Sequence, residues 1–235
     1  MQDSLLNPQR RAFLTQLFYI GVVGFFGLSA AIDRAHAMGV IKLPVGMQKV
    51  QGMVKINGET ARVGSPVIPG DVITTGPDSL AVFVVGKDVY LIRENTRVDL
   101  ESESAEAFKK RLVDVLRIVN GKMLAVFGKG NKRLEMPTAI AGVRGTGIYI
   151  EAEPERTYIC TCYGNVEITP RAAPALRETI RTRHHEAPRY VYAAGRKKLI
   201  ETAPVINHTD DELIYLELLV WRQPPFIEET GGNGY

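Results

Sequence analysis

Residues 112–127 read LVDVLRIVNGKMLAVF, two apolar, β-branched runs separated by Asn120-Gly121. Asn-Gly between such runs predicts a tight hairpin joining Leu112–Val119 to Lys122–Phe127. The same alternation extends outward on both sides. Upstream, Lys49–Ile56, Asp71–Thr74, Leu80–Val85, Asp88–Ile92 and Arg97–Leu100 read as strands, punctuated by Asn57-Gly58, Pro69-Gly70 and Gly76-Pro77-Asp78. Downstream, Ile148–Glu153, Arg156–Cys162 and Asn165–Ile168 continue it, with Gly128-Lys129-Gly130 and Tyr163-Gly164-Asn165 as turns. Many short strands at close spacing predict an all-β fold, an antiparallel β-sandwich or β-roll.

Two stretches qualify that picture. Gly142-Val143-Arg144-Gly145-Thr146-Gly147 has the glycine content of a phosphate loop. It lacks the Lys-Ser/Thr pair of one and leads into a strand, so a tight bend near a sheet edge is expected. Thr209-Asp210-Asp211-Glu212 has the form of a capping box. It opens a run in which Leu213, Leu216 and Val220, with Ile214, Leu218 and Trp221, make a broad apolar stripe ended by Pro224-Pro225. One C-terminal α-helix docked on the β-domain is predicted.

The chain has 235 residues, a formal net charge of +3 and 8% aromatics. That balance, without interleaved aromatic and basic residues, argues against nucleic-acid binding. The first 37 residues read as an export signal: Arg10-Arg11 followed by Phe13 and Leu14, an apolar run from Leu17 to Ala31, and Ala35-His36-Ala37 as a small-x-small cleavage site. The paired arginines match the twin-arginine address. An uncleaved inner-membrane anchor is the alternative, with the domain facing the periplasm in either case.

The ordered set Gly70-Asp71-Val72-Ile73-Thr74-Thr75-Gly76, Ser79–Phe83, Glu94-Asn95-Thr96-Arg97-Val98, Val119–Lys122 and Pro137–Thr146 resembles the FecR domain over residues 48–170. The resemblance implies an extracytoplasmic recognition or sensing module whose partner is an envelope protein or a cell-wall component. Family members that regulate a sigma factor carry a cytoplasmic domain. Only nine residues precede Arg10, so recognition without that domain is expected. Three segments follow: the signal over 1–37, the FecR-like domain over 48–170, and a C-terminal extension over 171–229.

No nucleophile elbow, Ser-x-x-Lys or His-Glu-x-x-His motif is present, and no enzyme activity is predicted. Arg171–Lys198 is basic, which suits a solvated surface or an anionic envelope polymer and admits a structural envelope role. Beyond the signal, thiols and imidazoles are confined to Cys160, Cys162, His184, His185 and His208. Cys160 and Cys162 lie two apart on a strand, so their thiols share a face. Three readings stand open: a strained disulfide favoured by an oxidising compartment, a zinc or copper site, or packed thiols with surface histidines. The metal reading takes Cys160, Cys162, His184 and His185 as ligands, with His208 as a supporting partner, and makes metal-binding or redox work an alternative function.

Overall fold

The computed structural model describes residues 44–109 and 112–227. The predicted export signal, with Arg10, Arg11, Phe13, Leu14, Ala35 and Ala37, lies outside them. Among the described residues no helix is long and apolar enough to cross a membrane.

In chain order the strands are β1 (Gly46–Gln51), β2 (Val54–Ile56), β3 (Glu59–Thr60), β4 (Val72–Thr75), β5 (Leu80–Val85), β6 (Asp88–Ile92) and β7 (Arg97–Glu101). A short helix α1 (Ala105–Lys109) precedes β8 (Val115–Val126), β9 (Asn131–Glu135), β10 (Ala139–Ala152) and β11 (Arg156–Pro170). Then come β12 (Glu178–Thr182), β13 (Arg189–Tyr192), β14 (Ile200–Thr202) and α2 (Asp210–Leu218). The strands form one mixed sheet, antiparallel except where β8 runs parallel to β9. The all-β expectation with a docked C-terminal helix holds.

Asn120-Gly121 is not a hairpin, because β8 runs through it without reversing. Gly121, at φ +97°, marks a change of partners. Before it β8 pairs with β7 and β9; after it β8 pairs with β6 and β10. A Cβ at Gly121 would stand 2.3 Å from Thr96 Oγ1 and 2.5 Å from Thr96 Cα, so a side chain is excluded there. The Gly142–Gly147 bend is likewise inside a strand, not near an edge. It lies within β10, whose register with β11 shifts between Arg144 and Gly147. Tyr163-Gly164-Asn165 is part of β11 rather than a turn. These glycines bend long strands and hand each half to different neighbours.

Both halves of these strands contribute to one apolar core. Leu116, Ile118, Met123, Ala141, Val143, Ile148, Ile150, Ile159, Val166 and Ile168 all belong to it. The sheet also continues past residue 170, since β12 and β13 both pair with β11.

The opposite face of β6, β8, β10 and β11 is covered by the C-terminal segment. Its helix starts as expected, with Thr209 Oγ1 accepting from the Glu212 N–H and Glu212 accepting from the Thr209 N–H. Leu213 and Leu216 are fully buried as α2 lies against β6 and β8. The apolar stripe is narrower than expected, for Leu218 and Trp221 are exposed. Polar anchors hold the remainder. Arg93 Nη2 donates to Glu212 and to the Asn207 carbonyl, at 2.8 Å each. Tyr158 donates to the Pro204 carbonyl at 2.9 Å. The buried Glu217 carboxylate accepts from Tyr163 and Arg222.

Candidate metal centre

The outer edge of β11 has a gap. β13 covers it over Arg156–Ile159 and β12 over Gly164–Ile168, leaving residues 160–163 between them. The connector from β12 to β13 closes this opening. Thr182 Oγ1 donates to the Thr161 carbonyl at 2.8 Å, and the His185 N–H donates to the Cys162 carbonyl at 2.9 Å. His185 takes φ +53°, a left-handed conformation uncommon outside glycine.

Cys160 and Cys162 share a face, as their spacing predicts, and both are free thiols with no exposed surface. Over them sit His185 from the connector and His208 from the segment before α2. One donor atom from each of Cys160, Cys162, His185 and His208 lies within 4.8 Å of the other three. His185 Nδ1 is 3.5 Å from Cys160 Sγ and 3.0 Å from His208 Nε2. The expected ligand set is therefore redrawn. His208 stands among the four donors, while His184 turns outward and meets both Asp210 oxygens at 2.9 Å. His184 was expected because it adjoins His185; the φ reversal at His185 was not visible in residue types.

The remaining ring nitrogens decide the protonation. His208 Nδ1 lies 2.6 Å from the Ile206 carbonyl, and His185 Nε2 lies 3.0 Å from Asp210 Oδ1. A carbonyl and a carboxylate only accept, so both nitrogens carry protons. With those positions occupied, His185 Nδ1 and His208 Nε2 are the ring nitrogens left to face each other, at 3.0 Å. A proton or a metal ion between them satisfies both nitrogens. The His208 ring is itself fixed by stacking on Tyr149, with centroids 4.6 Å apart.

The titration of these groups answers to the same demand. The Cys162 thiol hydrogen bond, aided by His185 and His208 and opposed by burial, holds Cys160 down to about 4. Burial, together with the Cys160 sulfur, pushes Cys162 well up. Burial would lower His185, but Cys160 and Asp210 outweigh it and raise the imidazole. In the metal-free chain a proton shared with the imidazole thus supplies the missing positive charge.

A thiolate, an imidazole and a carboxylate in line would also suit a cysteine nucleophile. Cys160 is fully buried, so no substrate reaches its sulfur. The arrangement suits holding an ion rather than attacking a bond.

No family model matches the chain, and neither does any curated protein. Two solved structures of a "putative anti-sigma factor" from Parabacteroides distasonis ATCC 8503 are similar to it. The first is 12% identical with a TM-score of 0.46, covering 62% of this chain and 64% of that one. The second is 12% identical with a TM-score of 0.44, covering 56% and 59%. The chain thus spans a little under two thirds of the length of these neighbours. At that level of likeness, the functional reading rests on the site itself.

Proposed function

We propose that this chain is an exported, non-enzymatic binding module whose C-terminal segment is locked to its β-domain by a zinc ion. The ion is held by Cys160, Cys162, His185 and His208. The observation that carries this reading is the pair of imidazole nitrogens converging beside two buried sulfurs, each ring held from behind by Asp210 or the Ile206 carbonyl. Backing of that kind sets the tautomer and orientation of metal-binding histidines. Tetrahedral zinc with two sulfurs and two nitrogens needs donor separations of about 3.3–3.8 Å, so the group closes by shifts on the order of an ångström. Four protein donors, three from buried residues and one from the largely covered His185, complete a tetrahedral set, which suits a structural ion over a catalytic one. A blue-copper centre fits the same donors less well, since it takes two histidines, one cysteine and a long axial ligand rather than two thiolates.

Full-length protein purified without chelator should carry one zinc per chain, and stripping it should lower thermal stability. Cys162→Ser should lose the ion. Metal-free protein, grown with zinc, with both thiols titratable after unfolding would leave only packed cysteines; no titratable thiol would mean a disulfide.

Recognition of an anionic envelope component is favoured by a shallow surface lined by Arg196, Lys197, Lys198 and Glu201. Arg196 stacks over Tyr192 at 3.8 Å, and Arg156 over Tyr190 at 4.8 Å, presenting rigid cations beside aromatic faces. Export rests on Arg10-Arg11; a Lys-Lys replacement that still reached the periplasm would overturn the twin-arginine route.

A further inference from the structure

We propose that His184, His185 and Asp210 bind a second divalent transition-metal ion, open to solvent and sharing the His185 ring with the buried zinc. The inference rests on the buried site for the shared ring, and on its own three donors for the ion. His185 is placed between two groups. Its Nδ1 faces Cys160 and His208, while its Nε2 faces Asp210 Oδ1 at 3.0 Å. Asp210 also receives His184 Nε2 at 2.9 Å on each oxygen. One donor atom from each of the three lies within 4.8 Å of the others.

The local backbone brings these donors together. The left-handed turn at His185 puts the His184 and His185 rings on one side, with centroids 4.8 Å apart. The His184 ring rests on Phe226 at 4.5 Å, so it is held in place rather than swinging in solvent. Asp210 is the first residue of α2, and the Thr209 cap fixes where its carboxylate stands.

The two sites differ in the chemistry they permit. The inner donors are buried, whereas the side chains of His184 and Asp210 are each 45% exposed. Two imidazoles and one carboxylate leave a coordination position for water, and an ion held that way exchanges with solvent. When the outer ion binds, it takes the place of the two protons that His184 Nε2 and His185 Nε2 hold toward Asp210: the His185 proton leaves to solvent, and neutral His184 carries its proton on Nδ1 instead. The His185 ring then bridges as imidazolate. Two divalent ions against two thiolates, one carboxylate and one imidazolate carry no net charge, so the ligands offset the repulsion between the ions. The inner ion is thus structural, and the outer one reports the metal content of the surroundings at the joint where connector and helix meet.

Cobalt(II) titration of the metal-free full chain tests this. Two equivalents are expected: the first raises an intense thiolate-to-cobalt band, and the second adds only weak visible absorption. His184→Ala should reduce the total from two to one with the thiolate band intact, and Asp210→Asn should weaken the second equivalent at least tenfold. A single equivalent in the wild type that raises the thiolate band, or a second that survives both substitutions unchanged, overturns the outer site. Cobalt that raises no thiolate band but is lost in His184→Ala supports the outer ion and sinks the buried-zinc reading.

Discussion

Along β10 and β11, alternate residues enter two different environments. Ile148, Ile150 and Ile159 join the apolar core, while Tyr149, Glu151, Tyr158, Cys160 and Cys162 turn to the C-terminal segment. The first set needs only to be packed. The second is buried almost as completely, yet its members require partners: Asn207 donates to Glu151 at 2.7 Å, Tyr149 to Glu151 at 2.8 Å, and Tyr158 to a carbonyl. The apolar face therefore draws no core member from residues 204–227, whereas the polar face is satisfied only when they are in place. One sheet thus has a face for folding and a face for docking.

The largest expected difference between the faces is in their response to pH. In the metal-free chain, the depressed Cys160 thiol stabilises the fold above its unfolded value and loses that contribution as pH falls through about 4. The raised His185 stabilises it below its unfolded value and loses that contribution as pH rises through the folded one. Above about 6.5, and as far as the raised His185 stays protonated, folded and unfolded chains hold one proton each on this pair, so stability should be nearly flat. With zinc bound both thiols are deprotonated, and unfolding takes up two protons. Stability should then rise by about 2.7 kcal/mol per pH unit over the same range. Urea unfolding at buffered free zinc measures both profiles. Parallel curves would show that the ion does not use the thiols.

Next in size is a cavity in the apolar face. Ile150→Ala should cost about 2–5 kcal/mol, because that side chain is fully buried in the core. The loss should be the same with and without zinc, since the ion holds the other face. A loss that grows on chelation would mean the two faces are not separable.

The apolar face was readable in the sequence because alternation has a period of two and leaves its mark on residue type. What could not be read was where strands end. Asn120-Gly121 and Tyr163-Gly164-Asn165 have the composition of turns, but a glycine with positive φ serves a bend inside a strand equally well. Only the pairing of each half distinguishes the two. The polar face was half legible. Cys160 and Cys162 follow from strand geometry, and the Thr209–Glu212 cap from local chemistry. The exchange of His184 for His208 depends on a connector crossing a gap in β11, a long-range fact that spacing does not encode. Asp210 was readable as a helix-start carboxylate, and its second use, backing His185, required the fold.

The smallest expected effect joins that local cap to the docking face. Thr209 sits between His208 and Asp210, and its hydroxyl accepts from the Glu212 N–H at 3.3 Å. Thr209→Ala removes that acceptor, which costs about 1 kcal/mol at a helix N-terminus. The first turn of α2 would then fray where Asp210 backs His185. Zinc affinity should fall, by about fivefold if the whole cap energy is felt at the ion. Ile150→Ala, though far more damaging to stability, should leave affinity in the folded protein unchanged. Competition with a chromophoric chelator reads both. If Thr209→Ala lowers stability but leaves affinity untouched, the helix start holds the segment down without positioning its ligands, and docking and metal binding become separate properties of one face.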